Sequence, residues 1–223
     1  VAGYTFHFLH YLVINPFMKT QQILCIHRKF LEPLFGAPLF SGIRPSPPHL
    51  QDLLRLPFQF INREQAEVDD SLKQLIPYVI LQHQDRFFVY RREKQVKEGR
   101  LAGLQSIGIG GHIDQEDAEG TAGTHEIYER ALRRELAEEI RGAGAFSFPR
   151  FIGWINDESN AVGRVHLGAV HILEVANADG LFINHGEHLT HQGWMTARGV
   201  MDHMQAFETW SVLAARLATI SKT

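Results

Sequence analysis

The stretch RRELAEEI, residues 133–140, sets Glu135, Glu138 and Glu139 three and four residues apart. On a helix those spacings place the three carboxylates on one side, with 135/138 and 135/139 as direct neighbours. Like charges at these separations cost a few tenths of a kcal/mol each, so the two pairs together cost about 0.4–1 kcal/mol in an isolated helix. Either nearby arginines neutralise that repulsion, or the carboxylates await a cation. A hard divalent cation such as Mg²⁺ takes oxygen ligands and keeps several waters, so a few carboxylates on one rigid helix and a backbone carbonyl suffice to hold it. Such an ion polarises a phosphoryl oxygen and lowers the pKa of bound water, providing electrophile and nucleophile together.

The elements around this stretch must position it. THEIYERALRRELAEEIRG reads as a helix, with Thr124 or its neighbour as cap, Ile127, Leu132, Leu136 and Ile140 as an apolar stripe, and Gly142 as its stop. Upstream, LQSIGIGGHID (104–114) reads as a strand ending at Gly110-Gly111, where backbone must turn or approach something closely. PYVILQHQ and RFFVYRRE are strand-like runs joined around Gln84-Asp85, and FIGWIN with RVHLGAVHILEV forms a second hairpin across DESNAVG. A last amphipathic helix is expected from about Met201 to Ala218. In the N-terminal third, QILCIHRKFL (22–31) suits a strand, HLQDLLRL a short helix, and REQAEVDDSLKQL (63–75) a polar helix. Six of the nine prolines fall between Pro33 and Pro57, which predicts irregular structure there. Strands before and after a central helix, with a closing helix, indicate a mixed α/β domain.

The central segment runs Gly120, five residues, Glu126, seven residues, then Arg134-Glu135-Leu136-Ala137-Glu138-Glu139. This resembles the Nudix box of the MutT-like Nudix hydrolases, which cleave a diphosphate bond in nucleoside diphosphates linked to another group. The resemblance is strongest over about residues 104–142 and compatible with the chain from about residue 77 onward. It implies an α/β/α sandwich with a mixed sheet and a central catalytic helix. It also implies Glu135, Glu138 and Glu139 as ligands of Mg²⁺ or Mn²⁺, with one of them or a more distant acid assisting the attacking water. Arg134 would hold carboxylates in place, and Glu126 would pair with it or ligate a metal indirectly.

The pattern departs from the family twice. Arg141 stands where the family has glycine, with Gly142 one place late. The Gly-Gly pair that ends a strand at the start of the box is Gly110-Gly111, fifteen residues before Glu126 rather than six. We therefore expect HIDQEDAEGTAGTH to be an enlarged loop and Gly120 to match the spacing by chance, with Gly110 and Gly111 the backbone that meets metal or substrate. GIGGHI with a long loop, KQLIPYVI and VHLG resemble a Nudix subgroup described only as predicted phosphoesterases.

Blander readings compete. Glu126–Arg130, Glu129–Arg133 and Arg134–Glu138 are all i,i+4 pairs, so the helix is also consistent with a solvated charged face. His185, His188 and His191 suit a polar loop better than a metal site. Glu187 in that loop is a candidate extra acid, because Nudix enzymes sometimes take one from a late loop. Asp157 and Glu158 could serve as such an acid but suit a solvated turn better. Trp194 and Trp210 could stack on a base but suit buried anchors better, and Cys25 suits a small core residue.

The whole chain agrees with an ordinary globular protein. It has 223 residues, 44% hydrophobic and 21% charged, with a formal net charge of −3. That balance gives no electrostatic reason to expect a nucleic-acid polymer as partner. One cysteine forms no intrachain disulfide, and no apolar run is long enough to span a membrane, so a cytoplasmic location is expected. Residues 1–17 are apolar and aromatic without Lys or Arg, and Met18 follows. We expect them to be an extension that is non-native or accessory, and 18–223 to form one domain with a proline-rich insertion at about 33–60. A small-molecule diphosphate is the expected substrate, and a homodimer the assembly common in the family. The alternative function is a Nudix-like module that binds a nucleotide, or regulates through it, without turnover.

Overall fold

The computed structural model describes residues 20–92, 103–121, 123–142, 148–184 and 189–221. Residues 1–17 and Glu187, His185 and His188 lie outside these segments. The elements in chain order are β1 (Gln22–His27), α1 (Arg28–Phe35), β2 (Gly42–Pro45), α2 (Leu50–Leu53), β3 (Gln59–Asn62), α3 (Arg63–Ala66), β4 (Leu72–His83), β5 (Arg86–Arg92), β6 (Gln105–Ser106) and β7 (Gly108–Gly110). They continue with α4 (Thr124–Glu139), β8 (Ile140–Arg141), β9 (Arg150–Asn156), α5 (Ala161–Val165), β10 (His166–Glu174), β11 (Phe182–Ile183), β12 (Leu189–Thr196), α6 (Ala197–Asp202) and α7 (Thr209–Ile220).

Among the described residues ten strands form one mixed sheet around β4, in the order β12-β5-β4-β10-β9-β2. Strand β10 runs parallel to β4 along its length, and the other pairings are antiparallel. The opposite edge of β4 is shared in turn by β1 at Leu72–Gln74, β7 at Tyr78–Ile80 and β5 at Gln82–His83. So central a strand is covered on both faces, which is why LKQLIPYVILQ is buried throughout.

Alternation along the strands divides the core into two layers. Leu75, Val79, Leu81, Leu167 and Ala169 pack with α4 through Ile127, Tyr128, Ala131, Leu132 and Leu136. Tyr78, Ile80, Val170 and Ile172 pack with α7 through Val212, Ala214, Ala215 and Ala218. The result is the α/β/α sandwich with a mixed sheet and a central helix that the family resemblance implies. Close packing on the α7 face needs missing side chains: a Cβ on Gly168 would lie 2.8 Å from the Trp210 ring, and one on Gly108 would overlap the Tyr78 ring.

Several local expectations are corrected. The 22–31 strand ends at His27, whose side chain accepts from the Lys29 amide and caps α1. Residues 63–75 are mostly not helix: α3 stops at Ala66, and β4 begins at Leu72 because its side chains enter the core. The proline-rich region is not wholly irregular, since β2 pairs with β9. The 104–114 strand is split at Ile107 into β6 and β7. Helix α4 has Gly123 as its N-cap residue, with no side-chain cap, and ends at Glu139 as Ile140 turns into β8. Gly142, at φ +85°, follows the exit rather than forming it. DESNAVG contains the start of α5, and the closing helix is two pieces, α6 and α7, separated at 203–208.

Candidate active site

The loop from Gly111 to Gly123 folds across the start of α4. Its 3₁₀ turn Gln115–Ala118 is held by a reciprocal box in which the Asp114 amide donates to Asp117 (2.9 Å) and the Asp117 amide donates to the Asp114 carbonyl (3.0 Å). This presents Asp117, 6% exposed, to Arg134. Arg134 Nε and Nη2 donate to the two Asp117 oxygens at 3.0 and 2.9 Å, a bidentate fork. Nη2 also donates to the His112 carbonyl at 2.8 Å, and Nη1 donates to Glu135 at 2.7 Å and to Glu138 at 3.4 Å. Burial works against this guanidinium's charge, but Asp117 and Glu135 outweigh it and raise its pKa further. Arg134 is thus a permanently charged clamp between the loop and the helix.

Glu135 meets the glycine turn directly. A Cβ built on Gly111 would lie 2.3 Å from the Glu135 carboxyl carbon, and one on Gly110 would lie 2.2 Å from the Pro77 carbonyl. At Gly110 the obstacle is backbone, so only glycine fits there, whereas a side chain at Gly111 would have to displace the Glu135 carboxylate. Burial pushes the Glu135 carboxyl above its usual range, and Arg134 offsets that only in part. Glu138 is exposed and Glu139 is buried at 9%. The Asn184 side chain donates to the Ala137 and Glu138 carbonyls at 2.6 and 2.8 Å, and its amide donates to the Glu139 carbonyl at 2.8 Å, satisfying the C-terminus of α4.

Other expected partners sit elsewhere. Glu126 is exposed and takes Arg130 (2.6 Å) and Thr121 (2.5 Å) rather than Arg134, because Asp117 occupies the guanidinium. Arg130 also donates to the Glu119 carbonyl, so Glu126 and Arg130 brace the end of the loop. Glu129 pairs with His125 and not with Arg133, whose guanidinium lies over the Phe148 ring. Gly120, at φ +71°, turns the loop with open space around it, while Gly110 and Gly111 lie at the carboxylates. The residues that the spacing missed are Asp114 and Asp117. Their D-x-x-D pattern was visible as a capping box but gave no hint of Arg134 as target.

Asp157 and Glu158 are not a solvated turn. Asp157 is 5% exposed and accepts from Ser159 and Asn160. Glu158 pairs with Lys73 (2.8 Å) and Arg28 (3.0 Å), and it accepts from Asn156. Burial pushes Glu158 up, yet these partners hold it below its ordinary value. It is therefore a poor proton acceptor. Trp210 packs edge-on to Tyr78, and Trp194 packs on Phe88 and His83, both as apolar anchors. His191 lies in β12, stacked on Phe88.

The arrangement of fold and helix has counterparts. Over 157 residues the chain is 32% identical to Protein YmaB of Bacillus subtilis, covering 69% of this chain and 75% of that protein. Its backbone superposes on the crystal structure of Tm1382, assigned as a Nudix hydrolase, with a TM-score of 0.71 and 26% identity, covering 88% of this chain and 97% of that one. No family model matches the sequence. With this fold and the REL-A-EE helix at its centre, the chain belongs to the Nudix hydrolase family, and so to a family of enzymes.

The donor set around α4 suits a hard divalent cation. Three carboxylates, one of them pressed on a backbone turn that only glycine permits, offer hard oxygens at one end of a rigid helix.

Proposed function

We propose that this chain is a metal-dependent hydrolase cleaving a diphosphate linkage in a nucleoside diphosphate derivative or a related phospho-compound. The observation that carries this reading is the Arg134 clamp: one guanidinium ties Asp117 of the loop to Glu135 and Glu138 of α4, with Glu135 against Gly111. Glu135, Glu138 and Glu139 would hold Mg²⁺ or Mn²⁺, together with a carbonyl of the Gly110-Gly111 turn. When bound, the ion neutralises phosphoryl charge and activates water. The chain's own residues supply orientation. Asp117 fixes Arg134, Arg134 fixes the carboxylates, and the glycine turn lets the backbone lie directly against Glu135. Glu187 remains a proposed extra acid. We read residues 18–223 as one Nudix domain, to which residues 20–62 contribute three strands of the main sheet.

One observation favours a second reading, a module that binds without turnover. Among the described residues, Glu135, Glu138 and Glu139 do not bring three ligand atoms within 4.8 Å of one another, and Arg134 bonds two of the three. A panel of nucleoside diphosphate derivatives, with Mg²⁺ or Mn²⁺ and ³¹P NMR of the products, separates the two. Turnover with at least one substrate, lost by about 100-fold or more in Glu138→Gln, supports the hydrolase. Saturable binding with no product, equal in Glu138→Gln, establishes the module.

A further inference from the structure

On the sheet face away from α4, three side chains from separate elements converge. Glu67 follows α3, His112 follows the Gly110-Gly111 turn, and His166 opens β10. One ligand atom from each lies within 4.8 Å of the other two, and no other set of His, Cys, Asp and Glu among the described residues does this. The register fixes the face. His166 is paired with Gln74, and both alternate with Leu75 and Leu167, which pack toward α4. Trp210 of α7 lies edge-on to His166 at 6.4 Å, on the same side.

Two imidazoles here direct the same nitrogen at each other: Nε2 of His112 and Nε2 of His166 are 3.4 Å apart. His166 Nδ1 lies 2.7 Å from the Val162 carbonyl. A carbonyl only accepts, so that nitrogen carries the proton, and Nε2 presents its lone pair to the cluster. This is the tautomer, with the outer hydrogen bond, that orients metal-ligating histidines. Ligands about 2.0–2.1 Å from a tetrahedral zinc ion lie about 3.3–3.4 Å from each other, so the observed spacing fits two ligands of one ion. Glu67 contributes the negative charge and is steadied by Arg63 at 3.6 Å. Gln74 Oε1 now sits 2.8 Å from His112 Nε2, while the Gln74 amide nitrogen is buried without a hydrogen-bond partner among the described residues. That side chain must yield His112 Nε2 to an ion, and the fourth position then falls to its oxygen or to water.

We propose that Glu67, His112 and His166 bind one transition-series divalent cation of the zinc class, at a site separate from the α4 carboxylates. Two nitrogens and one oxygen favour Zn²⁺ or Co²⁺ over Mg²⁺ or Ca²⁺, which prefer all-oxygen sets. The ion ties α3, the glycine turn and β10 together, and it fastens the turn on which Glu135 rests. The proposal stands whether or not the α4 site turns over a substrate.

The test uses the untagged full chain, stripped with a chelator and titrated with Co²⁺. One equivalent is expected to bind with visible ligand-field absorption, to be displaced by Zn²⁺ and not by millimolar Mg²⁺, and to persist in the double variant Glu138→Gln/Glu139→Gln. Glu67→Gln weakens binding about 10–100-fold, and His166→Ala abolishes it. Saturating Zn²⁺ raises the Tm by about 5–10 °C in the parent chain. Glu67 is only partly buried, so its variant serves if His166→Ala fails to fold. Binding no tighter than about 0.1 mM in the parent chain, or binding that survives unchanged in both Glu67→Gln and His166→Ala, overturns the site.

Discussion

Arg134 shows how one residue acquires its role from its neighbours. The motif marks it as a holder of carboxylates, and its forked bonds to Asp117 show which loop residue holds it in turn. Asp117→Ala leaves a half-buried guanidinium short of its main partner. We expect about a 10–100-fold loss of Mg²⁺ affinity or activity, read from the metal dependence of initial rates. A loss smaller than threefold would show that Glu135 and Glu138 alone suffice. Cys25 gives a simpler case. Burial, reinforced by Asp69 and Glu67, pushes its thiol up to about 12. The thiolate is the reactive form, so the folded protein at pH 8 should resist alkylation, with labelling detected by mass spectrometry only after denaturation.

At the scale of elements, strand β10 carries a titration that the whole fold feels. His171 is fully buried between Tyr128 and Phe151, and burial lowers its pKa to about 4. The unfolded chain takes up this proton first, near the ordinary value of about 6.5. Stability is therefore complete above pH 6.5 and falls as pH drops through the window from 6.5 to 4. Urea denaturation at pH 7 and pH 4.5 should show a loss about 2–3 kcal/mol larger in the parent chain than in His171→Leu. Equal losses would assign the acid sensitivity elsewhere. The same strand also depends on a small residue. Gly168→Ala puts a methyl 2.8 Å from Trp210 and should destabilise by about 1–3 kcal/mol without touching α4, measured as a shift in urea midpoint.

At the scale of the molecule, the N-terminal third is bound to the rest through a buried polar knot. Lys73 is 1% exposed and donates to Asn156 and to the Gly163 and His166 carbonyls while pairing with Glu158. Asn156 in turn donates to the Phe40 carbonyl, Glu158 takes Arg28, and Trp154 Nε1 donates to the Pro48 carbonyl. Burial lowers Lys73 to about 8, against the pull of Glu158. The unfolded chain keeps its proton up to about 10.5, so stability rises as pH climbs from 8 to 10.5. Lys73→Met should abolish that rise in denaturation curves taken across this window. No helix among the described residues is long and apolar enough to cross a membrane.

The sequence alone was enough for the local features. The apolar stripe Ile127, Leu132, Leu136 and Ile140, the three glutamates on one side of the helix, and the hairpin at Gln84 are set by interactions within a few residues. The reassignment from Gly120 to Gly110-Gly111 rests on counting, and in the fold Gly111 lies against Glu135 while Gly120 faces open space. Tertiary structure decided what depends on distant partners. It gave Arg134 to Asp117 instead of Glu126, buried Asp157 and Glu158 that looked like turn residues, and ended α3 early so that Leu72 could enter the core. It also gathered Glu67, His112 and His166, which lie 45 and 54 residues apart along the chain and share no sequence pattern. A motif records spacing on one element, whereas a buried charge or a three-element cluster is selected by whichever group the folded sheet brings alongside.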